Sequence, residues 1–262
     1  MIRKLGRKSP VFTPHQLKGG RFIKDMLVAL PAPPAVSADF VTAVMKQVPK
    51  SEYPWEMDGN DSVGDCTCAW ESHGLMLRTA NTGTIVIPTT AQTLNLYSEI
   101  TGFNPNEPST DQGAMISDVC AFMGKTGLLG HKSIGHVPIV TDQVGPTQIT
   151  RIKQGVQIFG DVNLGVNLPA SAETQFDAGQ PWTVSGDLTI EGGHCVGAVG
   201  YDNNYLHVVT WGRLQMVAWA WVLQFVEEAW VEIYPDFVTK RGVTPDGFSL
   251  ASLENYLKAI QG

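Results

Sequence analysis

A chain of 262 residues, 43% hydrophobic and 16% charged, can bury a full core, either as one large domain or as two closely joined lobes. No apolar run is long enough to cross a bilayer. A net charge of −7, with no basic patch outside the first residues and no phosphate-binding loop, argues against nucleic acid as a partner. Four cysteines, Cys66, Cys68, Cys120 and Cys195, do not make a disulfide framework at this length and suit a reducing compartment.

The charge is unevenly laid out. Residues 1–24 carry seven basic side chains (Arg3, Lys4, Arg7, Lys8, Lys18, Arg21 and Lys24) and no acid. Residues 1–50 read as an extended arm. LPAPPAVSADF suits polyproline II, and only Phe40 to Val48 has weak helical periodicity. Pro31, Pro33 and Pro34 also argue against reading Met26 to Val36 as a secretory signal. A basic arm beside an acidic body is expected to dock on an acidic surface, its own or a partner's, while standing outside the core.

The body is expected over 51–239, with a helical lobe at about 60–130. Gly59 to Trp70 reads as a glycine-rich turn entering a helix, with Ala69 to Ala80 helical and Asn81-Thr82-Gly83 ending it. Ala91 to Ile100 and Met115 to Gly124 follow as amphipathic helices. From about Val137 the texture turns to β-structure, giving a β lobe at about 137–239 with one inserted helix, Gln148 to Phe159. Val162 to Leu168, Cys195 to Tyr201 and Tyr205 to Thr210 read as strands, the last two joined by the turn Asp202-Asn203-Asn204. Trp219 to Tyr234 suggests a helix leading into a last strand. The tail, 240–262, ends in a short amphipathic helix, Leu250 to Ile260. The fold class is α+β.

The chemistry centres on Cys66. At a turn-to-helix junction, free amide N–H groups and the helix dipole favour a thiolate, the form that attacks. His194 opens the strand HCVGAVGY after Gly192-Gly193 and is placed to act as its base. Val209-Thr210-Trp211-Gly212 returns beside it, where the Thr210 hydroxyl could orient the imidazole. Cys68, Cys120 and Cys195 read as core thiols. A zinc site from Cys66, Cys68 and His73 is disfavoured because no C-x-x-C pair exists. No cofactor or metal is expected.

Together these residues resemble the papain-like cysteine peptidase fold over roughly residues 55–235. Members of that family carry a Gln six residues before the catalytic Cys, a His opening a strand of the form H-A-V-x-x-V-G-Y, and an Asn just before Ser-Trp-Gly. Here Asn60 stands at the Gln, Cys66 at the nucleophile, His194 at the base and Trp211-Gly212 at the Trp-Gly. Asp111-Gln112-Gly113-Ala114 resembles the glycine-rich cleft wall, and Val162 to Gly179 the strand and loop beside the S2 pocket. Two positions depart from the pattern. Asn60 is one methylene shorter than Gln. Val209 stands where the family has Asn, so either Thr210 takes that role through a local shift or the third member is missing.

The resemblance implies a two-lobe fold with an N-terminal arm and a cysteine hydrolase, peptidase or amidase, acting on a peptide or a cell-wall peptide. The G-D-C and T-W-G variants also resemble phage- and prophage-encoded chains. That resemblance implies an alternative: a non-catalytic virion structural or decoration protein whose residues 1–50 bind other phage proteins, located in the host cytoplasm or the virion and not in a membrane.

Overall fold

The computed structural model describes residues 3–14, 16, 32–141 and 144–237. Its centre is the helix α2 (Cys66–Thr82), preceded by a short helix α1 (Val41–Met45). Every α2 residue from Cys66 to Ala80 is buried, so this helix is wrapped on all sides rather than laid on a surface. α3 (Thr90–Thr101) begins with a reciprocal capping box between Thr89 and Gln92 and ends at Gly102 in the left-handed conformation. With α4 (Ile116–Lys125) it packs on one side of α2 around Cys68, Leu75, Leu96, Tyr97, Val119 and Met123.

The opposite side of α2 rests on a six-stranded antiparallel sheet of β1 (Gly135–Val140), β2 (Val162–Pro169), β3 (Ile190–Tyr201), β4 (Tyr205–Thr210), β5 (Arg213–Ala218) and β6 (Val226–Ile233), in the order β1-β6-β2-β3-β4-β5. α5 (Pro146–Phe159) connects β1 to β2, α6 (Ala170–Asp177) follows β2, and α7 (Trp219–Phe225) leads into β6. The Trp70 ring of α2 lies directly over Gly197 of β3, where any side chain would collide with it. Its indole N–H donates to Asn163 of β2.

Behind this contact the lobes share a buried polar network. Arg78 Nη1 donates to Asp161 (2.9 Å), its guanidinium lies 3.6 Å from the centre of the Tyr234 ring, and the Tyr234 hydroxyl donates to Glu71 (3.1 Å). Breaking one partner of such a network would leave uncompensated charge in the interior.

The expected α+β order of a helical lobe followed by a β-rich lobe is the order found. Several elements differ from expectation. β1 and β5 were not foreseen, and α6 replaces the loop expected after β2. This last helix follows from Ala172 and Phe176, four residues apart, burying one face while Pro169 closes the strand. Trp219 to Tyr234 is, as expected, a helix, the short α7, leading into a last strand, β6. The arm is not wholly outside the core. Phe40 and Val44 are buried, the Phe40 ring meets the Phe237 ring edge-on at 5.1 Å, and Ser37 exchanges two hydrogen bonds with the Tyr201 backbone. The helix expected over Leu250 to Ile260 lies outside the described residues.

Candidate active site

Cys66 is the first residue of α2, so its N–H lies outside the helical hydrogen-bond ladder. The turn before it, Asn60 to Gly64, is tied to the helical lobe by the Gly64 N–H donating to both Asp111 carboxylate oxygens (3.1 and 3.0 Å). Across the cleft, His194 sits on β3 opposite Val166 of β2. Its Nε2 lies 2.8 Å from Thr210 Oγ1. With Thr210 Oγ1 accepting from Nε2–H, the imidazole is neutral and Nδ1 is left as the basic nitrogen. That Nδ1 is buried without a hydrogen-bond partner. Val209, at the family's Asn position, lines the same cavity but offers no polar group.

The Trp211 ring stacks on His194, centroids 4.8 Å apart and planes 22° from parallel. It is carried on a two-residue β4–β5 turn in which Trp211 has φ 47° and Gly212 φ 75°. Positive φ at both central residues matches the twist of the flanking strands in so tight a hairpin, and a tryptophan adopts that conformation at a cost. The stacked ring fixes the imidazole plane in return.

Asn60, Cys66, His194, Thr210 and Trp211 therefore line a single cavity. Its volume is about 10 Å³, room for at most one water. The cavity is small because residues 3–8 of the chain run through the cleft above it. The Lys4 N–H donates to Asn60 O (3.0 Å), and Asn60 Nδ2 donates back to Lys4 O (2.9 Å). Ala114 N–H donates to Gly6 O (2.8 Å), Lys8 N–H to Ala114 O (2.9 Å), and Arg7 N–H to Gly193 O (3.1 Å). The arm thus makes an isolated parallel bridge, Arg7 with Ala114, and is bonded to both lobes. Gly113, at φ 69°, is needed for this approach, because a side chain there would strike the Gly6 carbonyl. Gly6 is needed equally, since its own Cβ would collide with the Gly64 carbonyl.

With the arm seated, burial is the main influence on the protonation of the pair. Burial pushes the Cys66 thiol up to about 11, against the N–H groups of Cys195 and Gly6 that point at the sulfur. Burial, then the charges of Arg7 and Arg3, push His194 down to about 3. Both groups are neutral near pH 7 in this arrangement. Asp65, whose charge would oppose a neighbouring thiolate, is buried beside Asp58, and this desolvation drives its carboxyl well above the usual range, towards the neutral acid.

All four cysteines are free and buried. Cys66, Cys68 and His73 do not converge. His73 Nε2 instead meets Glu56 O at 3.1 Å and the Asp58 carboxylate at 3.3 Å. Among the described residues, Glu71, Cys120 and Glu232 do place ligand atoms within 4.8 Å of one another. Asn163 Nδ2 lies within reach of Glu71 (3.2 Å), Glu232 (3.5 Å) and Cys120 (3.7 Å), and Glu232 Oε1 is buried without a partner. Burial, followed by the Glu71 charge, pushes the Glu232 carboxyl well above the usual range, towards the neutral acid.

Sequence reasoning brought forward Asn60, Cys66, His194 and Thr210, and the structure places all four at one point. It missed Arg3, Arg7 and Glu228, which are the arm's anchors. Arg7 Nη1 donates to Glu228 Oε1 (3.0 Å) and its Nη2 to Glu227 Oε2 (2.7 Å). Arg3 lies over the rings of Phe176 and Trp211 and pairs with Asp177. The basic cluster at residues 1–24 and the acidic pair Glu227-Glu228 were the available signals, but nothing in the sequence paired them.

No protein-family model matches the sequence, and a search of curated proteins found no match. Solved structures do match. Xylellain, a cysteine protease from Xylella fastidiosa, superimposes with a TM-score of 0.56 at 15% identity, covering 89% of this chain and 98% of that one. A procathepsin B from Trypanosoma congolense gives 0.56 at 10% identity over 88% and 87%. A structure from a study of the mite allergens Blo t 1 and Der p 1 gives 0.51 at 10% identity over 87% and 86%. With identities this low the likeness is one of fold, and the chain has the papain-like cysteine peptidase fold.

Proposed function

We propose that the protein is a papain-like cysteine hydrolase, a peptidase or amidase, held latent by its own residues 3–8. One observation carries this reading. The amide of Asn60 already grips a peptide carbonyl oxygen, that of Lys4, beside the thiol of Cys66 and the free Nδ1 of His194. A nucleophile, a base and an oxyanion donor share one site with a bound peptide in it.

When the arm is displaced, water and the loss of Arg3 and Arg7 restore the basicity of His194, and the proton passes from Cys66 Sγ to Nδ1. The thiolate attacks a substrate carbonyl carbon, and the new oxyanion takes hydrogen bonds from Asn60 Nδ2 and the Cys66 N–H. As the C–N bond breaks, His194 gives the proton to the leaving nitrogen. A water activated by His194 then adds to the thioester, releasing the acid and regenerating the thiol. Thr210 holds the tautomer that keeps Nδ1 basic, and Trp211 holds the ring plane.

The direction of the chain explains why the arm is held rather than cut. His194 must protonate the leaving nitrogen, so the leaving side of a substrate lies towards Trp211, where Arg3 sits. In the arm, Arg3 precedes Lys4, whereas a substrate aligned for cleavage would run the opposite way and place its leaving side after the attacked carbonyl.

Hydrolysis of a fluorogenic peptide panel by the full chain carrying Arg7→Ala tests the reading, with Cys66→Ala in the same background as control. Turnover that vanishes with Cys66→Ala supports it. No turnover across the panel, with Cys66 inert to peptidyl electrophiles, sinks it.

A second reading, a non-catalytic protein retaining this fold, rests on the depth of the arm's anchors, since the side chains of Arg3 and Arg7 are almost fully buried. On that reading the arm is a permanent strap, as a structural or decoration protein of a particle would use it. Cys66 would then stay unreactive in every arm variant that keeps the fold.

A further inference from the structure

Each anchor of the arm occupies an acidic pocket beside the site. The deeper pocket receives Arg7. Its guanidinium bonds Glu228 (3.0 Å), Glu227 (2.7 Å), Asn167 Oδ1 (3.1 Å) and Val166 O (3.3 Å). The side chains of Arg7 and Glu228 are 0% and 1% exposed, so this is a buried ion pair rather than a surface contact. The pocket is built for a cation. Glu228 Oε2 accepts from the Trp230 indole N–H (2.6 Å), which leaves Oε1 aimed at the guanidinium. The space for it exists because Gly165 has no side chain: a Cβ there would meet Glu228 Cγ at 2.5 Å and Arg7 Cδ at 2.8 Å. An aliphatic group in this pocket would leave a fixed, desolvated carboxylate without a partner, a larger penalty than a missing apolar contact.

The second pocket lies on the other side of Cys66. Arg3 rests 4.7 Å from the Phe176 centroid and 4.5 Å from that of Trp211, with Glu173 at 3.7 Å and Asp177 as its hydrogen-bond partner. Trp211 stacks on His194, which gives its proton to the leaving nitrogen, so this pocket belongs to the leaving side of a substrate. The Glu227–Glu228 pocket, beyond Ala114 and Gly193, then belongs to the acyl side.

We propose that the cleft selects basic peptides, with an arginine or lysine side chain on the acyl side of the scissile bond entering the Glu227–Glu228 pocket and a second cation accepted on the leaving side against Trp211 and Asp177. The arm, on this view, is a built-in copy of the ligand threaded backwards. The proposal rests on Cys66 being the nucleophile, because that assignment defines the two sides.

The test uses the full chain with Arg7→Ala, which empties the deeper pocket. Cys66 labelling rates are compared for thiol-directed peptidyl ketones in which arginine, leucine or glutamate is scanned through the acyl-side positions. At one position arginine should react ~10-fold or more faster than leucine, equivalent to about 1.4 kcal/mol. Adding Glu228→Gln should erase the difference, and Glu227→Gln, at a partly exposed residue, should reduce it if the first variant fails to fold. Leucine reacting as fast as arginine at every position, with Cys66 labelled, would overturn the proposal while leaving the enzyme reading intact. If no ketone labels Cys66, the enzyme reading fails, and the pocket is judged by binding. A chain carrying Cys66→Ala and Arg7→Ala should bind an uncleaved arginine peptide ~10-fold tighter than its leucine twin, and equal binding overturns the proposal.

Discussion

Replacing Arg7 with Ala should release the arm and expose the Cys66 thiol. The substitution removes charge-assisted hydrogen bonds to Glu228 and Glu227 and leaves Glu228, 1% exposed, without its cation. Breaking a buried pair of this kind costs about 3–5 kcal/mol, which corresponds to roughly a hundredfold to a few thousandfold change in the open fraction. The backbone bonds at Lys4, Gly6 and Lys8 remain, so the arm loosens rather than being lost. If closing is fast against alkylation, the rate at which iodoacetamide modifies Cys66 follows that open fraction. The assay is mass-spectrometric mapping of alkylation over time, with Cys68 and Cys120 as buried internal controls. Gly6→Leu offers an independent route, because its side chain collides with the Gly64 carbonyl without touching the acidic pocket. If both variants keep a cooperative melting transition and Cys66 still reacts at the wild-type rate, the arm does not gate the thiol and the reasoning is wrong.

Acid should also loosen the arm. His194 sits at about 3 with the arm seated, against an ordinary value near 6.5, so the seated state is fully favoured above pH 6.5 and loses ground as pH falls towards 3. Asp177, lowered by its bond to Arg3, acts in the same direction, while Glu228, raised by burial, works against it. Cys66 alkylation, corrected for thiolate fraction, should therefore rise between pH 6.5 and 4, and a flat profile would contradict the linkage. In the Arg7→Ala background, Thr210→Ala should lower turnover less than His194→Ala, since it removes orientation and leaves the base; equal losses would make Thr210 more than a positioning residue. Arg78→Met should destabilise the fold by about 3–5 kcal/mol, because Asp161 and Glu71 lose their shared buried cation. A shift in denaturant midpoint worth less than ~1 kcal/mol would mean the network contributes little.

What could be read from the sequence was local. Asn60 to Cys66, HCVGAVGY and Trp211-Gly212 each carry their geometry in a short stretch: a turn into a helix, a glycine-opened strand, a tight hairpin. Those stretches carry Cys66, His194 and the Trp211 ring that stacks on it. Thr210 was legible only as an alternative, since strand position alone does not say whether its hydroxyl or the Val209 side chain faces the imidazole. Long-range pairings were invisible. Arg7 and Glu228 are 221 residues apart, and no periodicity links them. β1 was hidden because GHVPIV contains Pro138, and α6 because its buried face rests on two residues. The packing of Phe40 and Val44 against α2 and Phe237 likewise depends on tertiary contacts that override a proline-rich local pattern.

The central claim is that Cys66 and His194 form a working pair that the arm keeps neutral. Its most direct test is the pH dependence of Cys66 alkylation in the full chain carrying Gly6→Leu, measured with and without His194→Ala. The account predicts that alkylation in Gly6→Leu persists well below the pKa of about 8.5 of a free thiol, and that His194→Ala returns the profile to that of an ordinary or buried cysteine. Identical profiles in the two proteins, each with a single ionisation near 8.5 or above, would contradict it.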